Sequence, residues 1–131
     1  MSIVLTRGDI YYCENVKLPA SKNSLETFRD KYVLVLQGGF FFKNTDRANV
    51  VLGTSQRVDN LYPTDVLIKS TDIIEISSDI KLYKDTKFNC AEIYLFRKIN
   101  IISAKKVCRV NKPKMREIDI ALIKALCIEL E

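Results

Sequence analysis

The 131 residues contain no histidine, and that absence bounds the chemistry open to the chain. The side chain that ordinarily shuttles protons near neutral pH is missing. Any acid–base or phosphate chemistry must therefore come from Arg, Lys, Thr, Ser, Tyr and carboxylates, and a nuclease built on a histidine pair is excluded. Cys13, Cys90, Cys108 and Cys127 stand singly within apolar segments, with no C-x-x-C pair and no histidine to complete a zinc site. All four are expected to be buried thiols rather than a disulfide framework or metal ligands, and no cofactor is expected.

The charged residues are more informative. Twenty-one basic against sixteen acidic side chains give a net charge of +5, unevenly spread. The segment KKVCRVNKPKMR carries Lys105, Lys106, Arg109, Lys112, Lys114 and Arg116 with no acid among them. Such a run attracts phosphates by charge alone, with an affinity that falls steeply with salt. It also suits a solvated basic face or the surface for an acidic protein partner, and the residues alone do not separate these readings. Three adjacent phenylalanines, Phe40 to Phe42, could stack on bases but fit core packing plus a dimer contact better.

The elements that must position these groups follow from length and pattern. One compact domain spanning residues 1–131, 47% apolar, has the material for a real core. Every hydrophobic stretch is interrupted well short of a membrane span, and the apolar patch in MSIVLTRGDI is too short for a secretory signal, so a cytoplasmic location with no membrane association is expected. Strands are predicted over Asp9 to Cys13, Tyr32 to Gln37, Val50 to Leu52, Asp65 to Ile68, Ile73 to Ile76 and Ala91 to Arg97, with β character continuing through Ile99 to Ile102. Glu14 to Lys31 is predicted as a long polar loop at the rim of a site.

The period then changes. Asn111 can cap a helix whose first turn contains Pro113 and whose apolar residues Met115, Ile118, Leu122, Ala125 and Leu126 recur at helical spacing. A second set, Ile120, Ile123, Cys127 and Leu130, widens that face, as expected of a helix covered by the domain body and by a second subunit. Strands followed by one closing helix imply a small barrel-like β domain.

The order of motifs resembles the PemK/MazF family. Arg7, Gly8, Asp9, Ile10 and Tyr11 match its opening R-G-[DE]-[IV]-[YW] strand, and Lys31 to Val35 resemble its R-P-V-[LV]-[IV] strand. Gly53, Thr54 and Ser55 resemble its [ILVC]-T-[ST] segment, and Tyr62 to Val66 its [LY]-P-[TF]-x-V strand. The spacing from Lys31 to Thr54, and from there to Pro63, agrees with the family without gaps, and AEIYLFRKINIISAKKV resembles the family's apolar strand and the basic segment after it.

The resemblance implies a mainly β (α+β) fold, an SH3-like small antiparallel barrel with a C-terminal α-helix, assembled as a homodimer. It implies a type II toxin–antitoxin toxin: a metal-independent endoribonuclease that cleaves single-stranded RNA through 2′-OH attack, restrained by a cognate antitoxin. The catalytic positions fall on Lys31 and Thr54, with Arg29 two residues from Lys31 and able to substitute for it. Ser55, Gln56, Lys105, Lys106 and Arg109 are the RNA-binding candidates.

The chain departs from the family pattern in two places. Lys31 stands where the family has arginine, and lysine neutralises a phosphate without the planar two-pronged contact of guanidinium. ASKNSLETFRD replaces a glycine-rich loop, with Glu26 the candidate for that loop's carboxylate. Two alternatives therefore stand beside the nuclease: a relative that binds RNA or a regulatory protein without cleaving, and an inhibitor acting in the manner of the gyrase poisons that share the fold.

Overall fold

The structure, a computed structural model, describes residues 3–20, 25–74 and 84–129. Seven strands form one antiparallel sheet: β1 (Asp9–Leu18), β2 (Thr27–Val35), β3 (Arg47–Thr54), β4 (Asp65–Ile68), β5 (Ile73–Ile74), β6 (Thr86–Arg97) and β7 (Lys105–Val110). Their spatial order is β4-β6-β3-β2-β1-β7-β5. The two end strands send Val66, Ile68 and Ile73 into one shared core with Ile10, Leu34, Val51 and Phe88, so the sheet curls into a nearly closed barrel. A C-terminal helix, designated α2 (Lys112–Ala125), contributes Ile118 and Ala121 to that core.

The outer face carries a second cluster, including Tyr11, Cys13, Val33, Val35, Val50 and Leu5. This explains the unbroken apolar run in YVLVL. Side chains alternate along a strand, and here Leu34 points inward while Val33 and Val35 serve the outer cluster, so both faces need apolar residues. The helix α1 (Lys98–Ile102) lies on that outer face with Ile101 buried.

Several expectations require correction. Ile99 to Ile102 is helical, although its isoleucines favour strands. Lys98 and Ile101, three residues apart, are the buried pair, while Ile99 and Ile102 face outward, which is a helical spacing. Lys98 is only 1% exposed. Its Nζ donates to the carbonyls of Ile3 and Phe42, giving the buried ammonium backbone acceptors.

The segment from Glu14 to Lys31 is mostly strand. Val16, Lys17 and Leu18 pair with Arg29, Phe28 and Thr27, and a bulge at Glu14 and Asn15 separates this extension from the rest of β1. Asn15 takes φ 54° there, a conformation that asparagine tolerates better than most residues. Residues 21–24, at the tip, lie outside the described residues, as do residues 75 and 76 of the predicted Ile73 to Ile76 strand.

Phe40 to Phe42 forms a short 3₁₀ turn, with Phe40 73% exposed beneath Lys43 Nζ, 3.6 Å from its ring centre. Cys127 is exposed rather than buried, because it follows the end of α2 at φ 55°. Asn111 caps α2 as expected, its side chain accepting from the Lys114 N–H at 3.0 Å. Of the second apolar set on α2, Ile120 is exposed and Ile123 half-buried, and Leu130 lies outside the described residues. Among the described residues, no helix is long and apolar enough to cross a membrane.

Candidate active site

Strand register brings Lys31 and Thr54 together. Tyr32 pairs with Gly53 and Val33 with Leu52, so one further step sets Lys31 opposite Thr54. Directly opposed residues of an antiparallel pair project to the same side, and Val33 and Leu52, two residues from each, already share the outer face. Lys31, at the middle of β2, and Thr54, the last residue of β3, are both half-buried.

Two adjoining grooves meet at this point, with cavity volumes of about 560 and 440 Å³. Leu18, Lys31, Gly53 and Thr54 line both and form their common wall. The first groove is completed by Tyr12, Arg29, Asp30, Tyr32, Ser55, Gln56 and Lys84. The second continues over Tyr62, Asp65, Lys87, Asn89, Glu92 and Tyr94.

Gly53 makes the junction possible. A Cβ at this position would stand 2.6 Å from Thr86 Cγ2 and 2.8 Å from the Phe88 ring, closer than atoms can pack. Without a side chain, β3 closes on β6 and delivers Thr54 to the wall. The Thr54 Oγ1 accepts from the Gln56 N–H at 3.2 Å, an arrangement that orients the hydroxyl and keeps its proton available to a ligand. Thr86, itself buried, donates to the Lys84 carbonyl at 3.0 Å and fixes the backbone that carries the Lys84 ammonium to the rim. Lys87 Nζ donates to the Asn60 carbonyl at 3.0 Å and ties the loop after Thr54 to β6.

Each groove also holds a tyrosine hydrogen-bonded to a carboxylate. In the first, Tyr12 donates to Asp30 Oδ2 at 3.3 Å, while the Asn15 N–H at the bulge donates to Asp30 Oδ1 at 3.0 Å. In the second, Tyr94 donates to Glu92 Oε2 at 3.2 Å. Partial burial, followed by the neighbouring carboxylate, raises both phenol pKa values above the usual 10.0 and keeps the hydroxyls protonated as donors.

The five candidates Arg29, Lys31, Thr54, Ser55 and Gln56 therefore surround one groove. Arg29, two residues before Lys31 on β2, shares its side of the strand. Among the described residues, neither Arg29 nor Lys31 is ion-paired.

The basic segment is placed differently. Asp9 is 3% exposed, and a buried carboxylate needs counter-charge. Arg109 Nε lies 2.7 Å and Lys106 Nζ 3.3 Å from its oxygens, so both cations are held beside it and neither lines a groove. Lys105 lines a separate depression that meets the first groove at Tyr12. Lys114 bridges Asp72 and Glu117. Glu26 pairs with Lys17 at 3.0 Å and does not line the grooves.

Sequence reasoning missed Tyr12, Asp30, Lys84, Glu92 and Tyr94. A signal for Asp30 was present, since it is an acid between the two cationic candidates Arg29 and Lys31. Tyr94 falls within the predicted Ala91 to Arg97 strand, with nothing in the sequence to single it out. Among the described residues, no three or more Cys, Asp or Glu side chains gather as metal ligands.

The family model described as PemK-like, MazF-like toxin of type II toxin-antitoxin system matches residues 6–126. A search of curated proteins returns no significant match. Among solved structures, an endoribonuclease from a mycobacterial species superposes with a TM-score of 0.67 at 19% identity, covering 98% of this chain and 97% of that one. An endoribonuclease in complex with its cognate antitoxin, also mycobacterial, gives 0.69 at 20% identity and coverages of 97% and 99%. The MazE–MazF complex from Deinococcus radiodurans gives 0.63 at 12% identity, covering 97% and 99%. At these identities the likeness establishes the fold.

Proposed function

Because the chain belongs to the PemK-like, MazF-like toxins of type II toxin–antitoxin systems, we propose that it is a metal-independent endoribonuclease that cuts single-stranded RNA. The observation carrying this reading is the placement of Lys31 and Thr54 side by side on the wall common to two open grooves. Strand separation of that kind leaves room for a phosphate between a cation and a hydroxyl.

In the proposed reaction the ribose 2′-oxygen bonds to phosphorus, losing its proton to solvent, as the 5′-oxygen leaves. The products are a cyclic phosphate and a free 5′-OH. Thr54 donates to a non-bridging oxygen, and Lys31 and Arg29 neutralise charge as it builds on the phosphorane. The leaving oxygen takes up its proton from solvent. Ser55 and Gln56 contact the backbone or base edges alongside. Lys105 extends the positive path beyond Tyr12, while Lys106 and Arg109, held by Asp9, contribute to RNA attraction through the local field.

Two partners accompany this function. A cognate antitoxin would occupy the same grooves, and an acidic segment suits Arg29, Lys31 and Lys84. A second copy of the chain would cover exposed apolar side chains such as Leu95 on β6 and Ile120 on α2. The setting proposed for this chemistry is the cytoplasm.

The test is incubation of purified protein with single-stranded RNA in EDTA. Cleavage giving 5′-OH ends, slowed about 10²–10³-fold by Thr54→Ala, supports the reading, and intact RNA at high protein concentration overturns it. Lysine in place of arginine at position 31 favours a second reading, RNA binding without cleavage. Salt-dependent binding of RNA that remains uncut would establish that one.

A further inference from the structure

The two grooves repeat one arrangement on either side of the Lys31–Thr54 wall. In each, a tyrosine hydroxyl donates to one carboxylate oxygen: Tyr12 to Asp30 in the first, Tyr94 to Glu92 in the second. Anionic groups are out of place in a groove meant only for a polyanion, because each opposes phosphate binding. Their retention on both sides of the cationic wall calls for a ligand group that donates hydrogen bonds.

We infer that the grooves are two base-reading sites flanking the cut, and that Asp30 and Glu92 each select guanine. The placing of the cut between the two sites rests on the endoribonuclease reading. A carboxylate offers about four acceptor sites on its two oxygens. The tyrosine, joined at Asp30 by the Asn15 N–H, uses part of that capacity and fixes the group's orientation.

Of the four bases, only guanine presents two adjacent donors on its Watson–Crick edge, N1–H and N2–H₂, and these match a carboxylate in a two-pronged contact. Adenine and cytosine place a ring-nitrogen acceptor beside their amino group, and uracil sets its single N–H between two carbonyls, so each turns a lone pair toward the carboxylate. Aromatic surface is present in both grooves: Tyr12 and Tyr32, 5.3 Å apart in the first, and the exposed Tyr62 in the second. Stacking there holds a base without choosing among bases, which leaves the choice to the carboxylate.

The experiment uses two randomised single-stranded RNA pools with the full chain. One pool is cleavable, with cut sites mapped by sequencing the 5′-OH ends. The other is 2′-O-methylated, cannot be cut, and is read by enrichment on binding. The expected result is guanine enriched on both sides of the cut and at two positions in the bound pool. Asp30→Asn should lower the guanine preference on one side on the order of tenfold, and Glu92→Gln on the other.

Both side chains are exposed, so unchanged thermal melting is the check that each variant folds. Cleavage without flanking guanine preference, or loss at the same position in both variants, overturns the inference and leaves the nuclease reading standing. Absence of cleavage overturns the nuclease reading instead, and the inference is then decided by the bound pool. Guanine enrichment there that each variant reduces at its own position sustains it, and enrichment that neither variant changes overturns it.

Discussion

Arg109 Nε donates to Asp9 Oδ1 at 2.7 Å across the β1–β7 pairing, and Asp9 is almost wholly shielded from solvent. Removing one partner of a buried pair is costly because the remaining charge stays desolvated. Lys106, at 3.3 Å, is a second counter-charge and softens the loss. Arg109→Ala is expected to destabilise the fold by about 1–3 kcal/mol. The double variant with Lys106→Ala should approach about 3–5 kcal/mol. Urea denaturation of the single and double variants measures both.

Thr54→Ala should lower the single-turnover rate of RNA cleavage by about 10²–10³, the usual effect of losing one hydrogen bond to the charge of a transition state. Binding of 2′-O-methylated RNA should change far less. Lys31→Arg, which restores a planar guanidinium, should keep or raise the rate, whereas Lys31→Met should lower it. Equal rates for the arginine and methionine variants would remove Lys31 from the chemistry.

Gly53→Ala forces a methyl group against Thr86 and Phe88. Overpacking of this kind costs about 1–3 kcal/mol and shifts the adjacent backbone, so cleavage should fall along with stability. Adding Thr86→Ser, which removes the nearest methyl, should recover part of both. Thermal melting and the cleavage assay, run on the same samples, check the pairing.

Alkaline pH should reveal the buried thiols. Burial raises Cys13 and Cys90 from 9.0 to about 11 and Cys108 to about 12. The folded state therefore keeps protons that the unfolded chain loses above pH 9. Their stabilising contribution is complete below that pH, shrinks by about 1.4 kcal/mol per pH unit for each thiol as pH rises, and is gone above the folded pKa. Urea midpoints from pH 8 to pH 10.5 should fall, and the fall should be shallower in Cys108→Ala. In native protein near pH 8, a thiol reagent should modify Cys127 first, since Cys13, Cys90 and Cys108 are buried.

Much of this arrangement was legible in the residues. The strand runs of YVLVL and the capped helix after Asn111 follow from local pattern, and the resemblance to the PemK/MazF motifs put Lys31 and Thr54 at one site. What local pattern could not carry was pairing. The bulge at Asn15 extends β1 through a segment rich in polar residues, and only its partner strand makes that segment β. The isoleucines at 99, 101 and 102 favour strand in isolation, and the burial of Lys98 and Ile101 overrides them. The basic segment read as a continuous surface, yet the burial of Asp9, distant in sequence, assigns two of its cations to structure.

The strand β6 changes register between its pairings with Val51 and Gly53, so a single run of backbone carries Phe88 beneath the junction and Glu92 and Tyr94 at the edge of the second groove. The distance from the phosphate seat to that edge is therefore set by main chain held in the sheet rather than by a hinged flap. On the endoribonuclease reading proposed above, an RNA strand entering here would meet a gauge of fixed width, and the nucleotide, with its softer torsions, would have to adjust.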